Sequence, residues 1–313
     1  MEEKENRSIK RSLFSPSLLC NNDCIVCGIY SEKQEKFIQP DFEMIASDIK
    51  RLKKMGVTHL WISGGEPTIN KDIFKILTLT KNLCFEEVII FTNGRALSNK
   101  KFLNEMIECG AHGFHIALQS HNSETHDFLT RRPGSFDETI QGIKNVIEEK
   151  NRLKRVTAAH VMNSENINFL PDFAYLMVNL KIDCQIAYPF FTSPSQYKFL
   201  PRYSDLKNKL HEAIRILLRG GLKISIETVP PCFLIGFERY YADYHRKQRM
   251  LMEGYRSVSG ETVKEEYLQL IGSSFKTYTQ KCEICFYKPA CSGVFSQYIE
   301  EFGEDEFEPV IRK

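Results

Sequence analysis

The chain has 313 residues, of which 42% are hydrophobic and 26% are charged, and its formal net charge is +2. This length suits one large α/β domain with a smaller one, and the composition is that of a globular enzyme. The small net charge does not predict a nucleic-acid-binding surface, and no apolar run approaches the roughly 18 residues that a membrane span needs. No signal-peptide h-region follows the N-terminus, so we expect a cytoplasmic protein with reduced cysteines.

Short apolar runs alternate with amphipathic stretches through the first two thirds of the chain. Hydrophobic periodicity predicts strands at residues 13–19, 57–63, 87–92, 114–119, 155–162 and 182–188. Helices are predicted at residues 42–55, 72–81, 136–149 and 168–179, with another from an N-cap at Ser98 to Cys109. Six strand-then-helix units in series predict a parallel sheet with right-handed crossovers, either an open doubly wound sheet or a barrel.

The pattern changes after residue 189. Residues 190–203 are rich in Ser, Pro and aromatic side chains and predict a connection. A helix at residues 205–219 and a strand at residues 222–227 follow, and the chain then reaches Pro230-Pro231-Cys232. The last third carries a group of cysteines and an acidic tail.

Alternation along the strand predicted at residues 114–119 gives one of its faces a polar character. His115 and Gln119 share that face, whereas a parallel strand buried on both faces should be apolar throughout. We therefore expect this face to line a wet cavity, with His115 as the candidate cavity residue. Cys184 lies among apolar residues of the sixth strand, and we expect a packed thiol there. Cys84 and Cys109 lie at helix ends and are predicted to be packing residues.

Three cysteines near the start, Cys20, Cys24 and Cys27, have the spacing C-x3-C-x2-C. Three thiolates on one loop can hold three irons of a 4Fe–4S cube and leave the fourth iron open. A zinc knuckle is the alternative, but it needs a fourth ligand, and no His or Cys follows within the next 30 residues. The spacing favours the open-sited cluster and leaves zinc as the second interpretation.

A Gly-Gly-Glu-Pro turn, residues Gly64, Gly65, Glu66 and Pro67, directly follows the second predicted strand. The end of a parallel strand is where α/β proteins form their sites. Glycines let backbone approach a ligand closely, and a carboxylate with exposed carbonyls beside it suits an ammonium group. A tight loop without function is the alternative interpretation of this turn.

Together these motifs resemble the radical S-adenosylmethionine (SAM) superfamily, and the resemblance covers residues 13–190. It implies a partial (β/α)6 TIM-type barrel at residues 1–200, in which Cys20, Cys24 and Cys27 hold a 4Fe–4S cluster. The implied SAM-binding residues are Gly64, Gly65, Glu66, Pro67, Thr92, Asn93 and Gln119. The chain departs from the family pattern at Ala117 and Gln119, where the family often has Ser and Asp, and at Val26, where an aromatic residue is common.

A second group consists of Cys282, Cys285 and Cys291, spaced C-x2-C-x5-C, with Cys232 upstream on a Pro-Pro turn. Spacing alone fits a closed zinc site and an iron–sulfur cluster equally well. The arrangement resembles the twitch and SPASM auxiliary-cluster domains, although Phe295 stands where SPASM would continue with another cysteine. The resemblance implies one auxiliary 4Fe–4S cluster held by all four cysteines, in a small C-terminal domain at residues 201–313.

The resemblance implies an enzyme that reductively cleaves SAM to a 5′-deoxyadenosyl radical, which abstracts hydrogen from a substrate. A flavodoxin or ferredoxin would supply the electron. The first hypothesis is oxidation or crosslinking of a ribosomally made peptide. Because only 19 residues precede Cys20, a separate leader-binding protein or the C-terminal region would then recognise a leader. The alternatives are a small-molecule substrate such as a sugar, nucleotide or cofactor precursor, and a non-enzymatic iron–sulfur or zinc sensor.

Overall fold

The computed structural model describes residues 11–27, 40–191, 193–242, 250–258, 261–266 and 275–311. Within these residues the main sheet has strand order β7-β6-β5-β4-β3-β2-β1-β8-β9. Its strands are β1 Arg11–Ser15, β2 His59–Ile62, β3 Glu87–Thr92, β4 Gly113–Ala117, β5 Arg155–Val161, β6 Asp183–Ala187, β7 Ile224–Glu227, β8 Met250–Val258 and β9 Glu261–Glu266. Neighbouring strands from β7 through β8 run parallel, and β9 pairs with β8 antiparallel.

Helices follow the strands as the alternating pattern predicts. They are α1 Phe42–Lys54, α2 Ile73–Asn82, α3 Lys100–Cys109, α4 Ser123–Thr130, α5 Ser135–Glu148, α6 Leu170–Leu180 and α7 Tyr203–Arg219. A short C-terminal helix, Ser296–Phe302, follows a small two-stranded sheet formed by β10 Lys276–Thr277 and β11 Val294–Phe295. In the described part of the chain, no helix is both long and apolar enough to cross a bilayer.

The two faces of the sheet differ in burial, and this difference explains the partial barrel. One set of alternate residues is buried and mostly apolar, including Leu60, Ile90, Phe114 and Ile186. The other set, on the concave face, includes half-buried side chains on every strand from β1 to β7, although Ile89 and His115 on this face are buried. A sheet covered by helices on one side and curled around a solvent-accessible hollow on the other is the predicted partial TIM-type barrel, which is confirmed.

The structure corrects the predicted start of α3. Its N-cap is Asn99, whose side chain accepts hydrogen bonds from the backbone amides of Lys101 and Phe102. Ser98 instead ends a preceding 3-10 turn, and its hydroxyl donates to the Arg95 carbonyl at 2.7 Å. Serine and asparagine cap helices about equally well, so propensity alone could not decide between the two neighbours.

The sheet continues beyond the six predicted strand-helix units. β7 pairs with β6, so the parallel sheet extends past residue 200 into the segment assigned to the C-terminal domain. The β8–β9 pair was not predicted; much of it is charged, and its strand character depends on pairing with β1. The division into residues 1–200 and 201–313 stays a prediction.

The isolated cysteines differ from one another in burial. Cys184 is 1% exposed, which confirms its prediction as a packed thiol. Cys109 is half-buried and packs against the core. Cys84 is exposed, so its prediction as a packing residue is wrong. It lies just after α2 with φ +54°, in the turn that precedes the buried Phe85.

Candidate active site

The cysteine loop follows β1 and is anchored from two sides. The amides on either side of Cys24 donate to the end of α4: Asp23 N to the Thr130 carbonyl at 3.0 Å and Ile25 N to the Leu129 carbonyl at 2.9 Å. On the other side, Nε2 of the Gln196 side chain donates to the carbonyls of Ile25 at 3.0 Å and Cys27 at 3.1 Å. The backbone that carries Cys24 and Cys27 is therefore held independently of any ligand.

The glycines of the Gly-Gly-Glu-Pro turn let this turn lie against the cysteine loop. Gly65 N donates to the Ser17 carbonyl at 2.9 Å, and Glu66 N donates to the Leu19 carbonyl at 2.7 Å. A Cβ on Gly64 would lie 2.2 Å from the Ser17 carbonyl oxygen, and one on Gly65 would lie 2.1 Å from that of Leu19. The sequence predicted that these glycines let backbone approach a ligand closely. They also let the backbone of the turn lie against the backbone that leads into the cysteine loop.

Glu66 is buried, with 1% of its surface exposed, and both carboxylate oxygens are occupied. Oε1 accepts from the Thr68 amide at 3.0 Å, the Thr68 hydroxyl at 2.6 Å and the Thr92 hydroxyl at 2.7 Å. Oε2 accepts from Asn93 N at 2.6 Å. Burial raises the pKa of Glu66, and these donors oppose that rise. The carboxylate joins the ends of β2 and β3.

Replacing Glu66 with glutamine should destabilise the fold by about 2–3 kcal/mol, because the new amide group would face donors inside a buried site. Urea unfolding of anaerobically purified protein measures this change. Glu124→Gln, at an exposed position of α4, is the matched control and should stay within about 0.5 kcal/mol of the parent. Equal unfolding midpoints for the two variants would contradict the structural role assigned to the carboxylate.

Two polar residues tie the turn that follows β3 to the cysteine loop. The Asn93 side chain donates to Asn21 Oδ1 at 2.6 Å. Arg95 Nη1 donates to the Asn21 carbonyl at 2.8 Å and to Asn22 Oδ1 at 2.9 Å, while its Nε pairs with Glu138 of α5. The chain between Cys20 and Cys24 is thereby fixed from the third strand-helix unit.

The three loop thiols are near neighbours in a partly buried environment. Burial is the largest cause that raises the pKa of Cys20, to about 11, and that of Cys24. Glu66 and Cys27 raise the pKa of Cys20 further, and Cys27 and Cys20 do the same for Cys24. Burial makes a lone thiolate unfavourable, and a bound metal cation stabilises it. The three loop thiols therefore fit a metal cluster. Among the described residues, no three His, Cys, Asp or Glu side chains surround a point that suits one ion. A cube does not require this, since each thiolate ligates a separate iron.

The concave face of the sheet carries the predicted cavity residues. His115 is 8% exposed, and its ring lies 4.4 Å from that of Phe91, which in turn lies 5.4 Å from Trp61. Toward the strand ends the half-buried inward side chains of β4–β6 are all uncharged: Ala117, Ala159, Val161, Gln185 and Ala187. Gln119 is buried, and within the described residues its Oε1 has no hydrogen-bond partner.

Two buried histidines lie beside Gln119 at the end of β4. His126 Nδ1 accepts from the Gln119 amide at 3.2 Å, and His160 Nδ1 lies 3.0 Å from the Leu118 carbonyl, to which it donates. Burial is the largest cause that lowers the pKa of each to about 4. Both are 1% exposed, as is typical of histidines with a structural role.

Stability should fall as the pH drops from about 6.5 to about 4. In this window the unfolded chain protonates both histidines and the folded chain does not, so the unfolded state binds more protons. The contribution is complete above pH 6.5, and each histidine accounts for up to about 3 kcal/mol. Urea midpoints at pH 7 and pH 5 test this, and His160→Gln should give a shallower dependence. A variant as steep as the parent would contradict the assignment.

The four cysteines of the second group also come together in the structure. Cys232, Cys282, Cys285 and Cys291 all line one cavity. Burial is the largest cause that raises the pKa of Cys232 to about 12 and of Cys291 to about 11, and the other thiols of the group raise both further. Gly293 N donates to Cys291 Sγ at 3.3 Å. The donor set fits one metal cluster with four thiolate ligands, and zinc chemistry uses the same ligands.

Several residues that build the site were not identified from the sequence. They are Asn21, Asn22, Thr68, Arg95 and Gln196. Asn21 and Asn22 could have been noted because they lie between two predicted ligands. Arg95 and Gln196 are distant in sequence from their partners, and only the fold brings them to the loop.

Comparison with known proteins places the first half of the chain. Residues 14–174 match the radical SAM superfamily. A probable GTP 3′,8-cyclase of Methanopyrus kandleri is 26% identical over 210 residues, which cover 66% of this chain and 64% of that protein. A probable GTP 3′,8-cyclase of Methanocaldococcus jannaschii is 28% identical over 174 residues, which cover 55% of this chain and 56% of that protein. The chain thus spans less than two thirds of the length of these relatives.

Solved structures resemble almost the whole chain. Streptococcus suis SuiB bound to S-adenosylmethionine has a TM-score of 0.67 at 17% identity, covering 97% of this chain and 77% of that one. SuiB bound to its precursor peptide SuiA has the same TM-score and identity, with 97% and 75% covered. Native anSMEcpe with bound AdoMet has a TM-score of 0.66 at 13% identity, with 96% and 93% covered. At these identities the likeness establishes the shared fold.

Proposed function

The chain belongs to the radical SAM superfamily, and from this we propose that it modifies a ribosomally made peptide by hydrogen abstraction, with oxidation or crosslinking of a side-chain carbon. When bound, a 4Fe–4S cluster and SAM supply an electron and the 5′-deoxyadenosyl radical that takes the hydrogen atom. Cys20, Cys24 and Cys27 would hold the cluster. A flavodoxin or ferredoxin would provide the electron from outside.

The residues around the loop have a positioning role in this proposal. Gly64, Gly65 and Pro67 would present backbone to the methionine end of SAM, while Thr92 and Asn93 hold Glu66 and the turn in place. Gln119, with its unpartnered Oε1, would contact the adenosyl part. The curled sheet would separate the substrate from bulk water. Cys232, Cys282, Cys285 and Cys291 would hold an auxiliary 4Fe–4S cluster in the C-terminal part.

The observation that carries the peptide proposal is the absence of a cation from the part of the cavity wall that β4–β6 form; the neighbouring inward residue of β7, Glu227, is acidic and buried. The half-buried inward side chains of β4–β6 toward the strand ends, from Ala117 to Ala187, carry no charge. Such a wall suits a neutral amino-acid side chain better than a polyanion, for which Arg and Lys would be the expected partners. The solved structure of SuiB with its precursor peptide, similar over 97% of this chain, supports the same substrate class. A separate protein could bind a leader segment.

A small-molecule substrate is the second candidate, because the curated relatives are named GTP 3′,8-cyclases. Their similarity covers 55–66% of this chain in the cases compared. Four thiols line the second cavity, and four thiolates would fill the coordination of an auxiliary cluster, so a substrate would have no iron to bind there. This argues for a relay or structural role of the auxiliary cluster. A non-enzymatic sensor would not use the SAM-binding turn and cavity.

Deuterium transfer tests the substrate class. Reduced, reconstituted protein is mixed with SAM and with candidate substrates that carry deuterium, and 5′-deoxyadenosine is analysed by mass spectrometry. A peptide substrate should transfer deuterium, whereas GTP and other metabolites should not. Transfer from GTP alone would establish the second candidate. Failure to release 5′-deoxyadenosine under any condition would contradict the enzymatic proposal as a whole.

A further inference from the structure

A chain of three polar side chains runs beside Cys291. Lys276 Nζ donates to Ser292 Oγ at 2.6 Å, and Ser292 Oγ lies 2.8 Å from the Tyr241 hydroxyl. The Ser292 amide also donates to the Tyr241 hydroxyl at 3.0 Å. Both side-chain and backbone atoms of the residue after Cys291 are therefore held, and one end of the chain is a cation.

The other end of this chain reaches the barrel sheet. Tyr241 is 1% exposed, and its backbone forms a parallel bridge with Ile226 of β7. β7 in turn pairs with β6, which contributes Gln185 and Ala187 to the concave face. The turn that carries Cys291 and Ser292, called the Cys291 turn below, is consequently connected to the wall of the candidate substrate cavity through one buried tyrosine.

Lys276 is also placed to act on Cys291 by charge. Its ammonium lies 5.2 Å from the centre of the Phe295 ring and 2.6 Å from the hydroxyl oxygen of Ser292, the residue that follows Cys291. The Gly293 amide donates to Cys291 Sγ at 3.3 Å, so an ammonium group and an N–H donor both lie on this turn. Positive charge and N–H donors near cluster sulfurs favour the reduced, more negative state and raise the reduction potential.

We propose that Lys276, Ser292 and Tyr241 are positioning residues that fix the Cys291 turn against the barrel edge and set the reduction potential of the auxiliary cluster. The inference rests on the proposed function, since it needs a cluster on the four C-terminal cysteines. The raised reduction potential would make the auxiliary cluster a better electron acceptor. Tyr241 contributes position, Ser292 joins the two ends, and Lys276 contributes the charge.

Redox titration of the auxiliary cluster, followed by electron paramagnetic resonance, tests the assignment. The full chain carries Cys20→Ala, Cys24→Ala and Cys27→Ala, so only the C-terminal cluster gives a signal. In that background Lys276→Met should shift the midpoint potential to more negative values, and Lys276→Arg should restore it. Ser292→Ala, which releases the lysine without removing it, should give a smaller shift in the same direction. Tyr241→Phe should also shift the midpoint and broaden the signal.

Lys288→Met is the matched control, because Lys288 lines the cavity of the four cysteines and pairs with Glu283 at 2.6 Å, whereas Lys276 donates to the residue that follows Cys291. It should change the midpoint less than Lys276→Met does. A loaded cluster whose potential is the same in Lys276→Met and in the parent would overturn the inference and leave the proposed function intact. Zinc, or no metal, at the four cysteines of the parent would overturn the auxiliary cluster itself, and metal analysis distinguishes that result.

Discussion

Changing Cys20, Cys24 and Cys27 together to alanine should abolish the release of 5′-deoxyadenosine and lower the iron content from about eight to about four per chain, if each cysteine group holds a four-iron cube. The loop backbone is held by Gln196 and by the end of α4, so the fold should survive the loss of the thiols. Anaerobic reconstitution followed by iron, sulfide and zinc analysis measures the content. Chromatography of the reaction with SAM and a reductant measures the product.

The control for this experiment is the pair Cys84→Ala and Cys109→Ala. Cys84 is exposed and Cys109 is half-buried, and neither lines the cavity of the second cysteine group. Iron content and product release should both match the parent in these variants. Zinc in place of iron at the N-terminal group of the parent would reject the open-sited cluster, whatever the C-terminal group contains.

The sequence predicted the βα units well because each of their strands has one face fully buried beneath helices. Residues such as Leu60, Ile90 and Ile186 are apolar for that reason, and the helices that cover them keep an apolar stripe at helical spacing. The same logic fails for β8 and β9, whose strand character depends on a partner strand distant in the sequence. Periodicity detects burial, and it does not detect pairing at the edge of a sheet.

The candidate site was only partly predictable for a related reason. The ligating cysteines and the Gly-Gly-Glu-Pro turn are contiguous in sequence, so their spacing alone carried the prediction. The contacts of Arg95 with Asn21 and Asn22 join residues more than 70 positions apart. The role of Glu66 also depends on Thr92 and Asn93. The carboxylate that the sequence suggested for an ammonium ligand accepts hydrogen bonds at the junction of two strands, and its role toward a ligand stays a prediction.

This junction makes the turn and the cysteine loop one structural unit. The backbone amides of Gly65 and Glu66 bind carbonyls that lie one to three residues before Cys20. Glu66 binds the start of the turn after β3, and Arg95 returns from that turn to Asn21 and Asn22. A change in any one of these contacts should therefore displace the thiols. The glycines are the most sensitive members because nothing larger fits between the two backbones.

Gly65→Ala should consequently lower 5′-deoxyadenosine formation at least about 100-fold, the scale expected when reacting groups are misplaced by about 1 Å. The new Cβ would lie 2.1 Å from the Leu19 carbonyl oxygen and 2.4 Å from that of Leu18. Backbone must move to relieve this overlap, and the segment that moves leads directly into Cys20. Iron bound at the N-terminal group should fall in parallel, while iron at the C-terminal group is retained.

Gly221→Ala separates this steric effect from ordinary backbone strain. Gly221 lies between α7 and β7 with φ +74°. Among the described residues, apart from Gly221 itself and its two chain neighbours, no atom lies within 4 Å of the position that an added methyl group would take. Alanine there should cost about 1–2 kcal/mol of stability, since it must adopt a left-handed conformation, and should leave the iron content and SAM cleavage unchanged. If Gly65→Ala behaves in the same way, the turn does not position the cysteine loop. Loss of N-terminal iron in Gly65→Ala alone would show that backbone contact between two loops, formed before any cofactor binds, determines where the thiols stand.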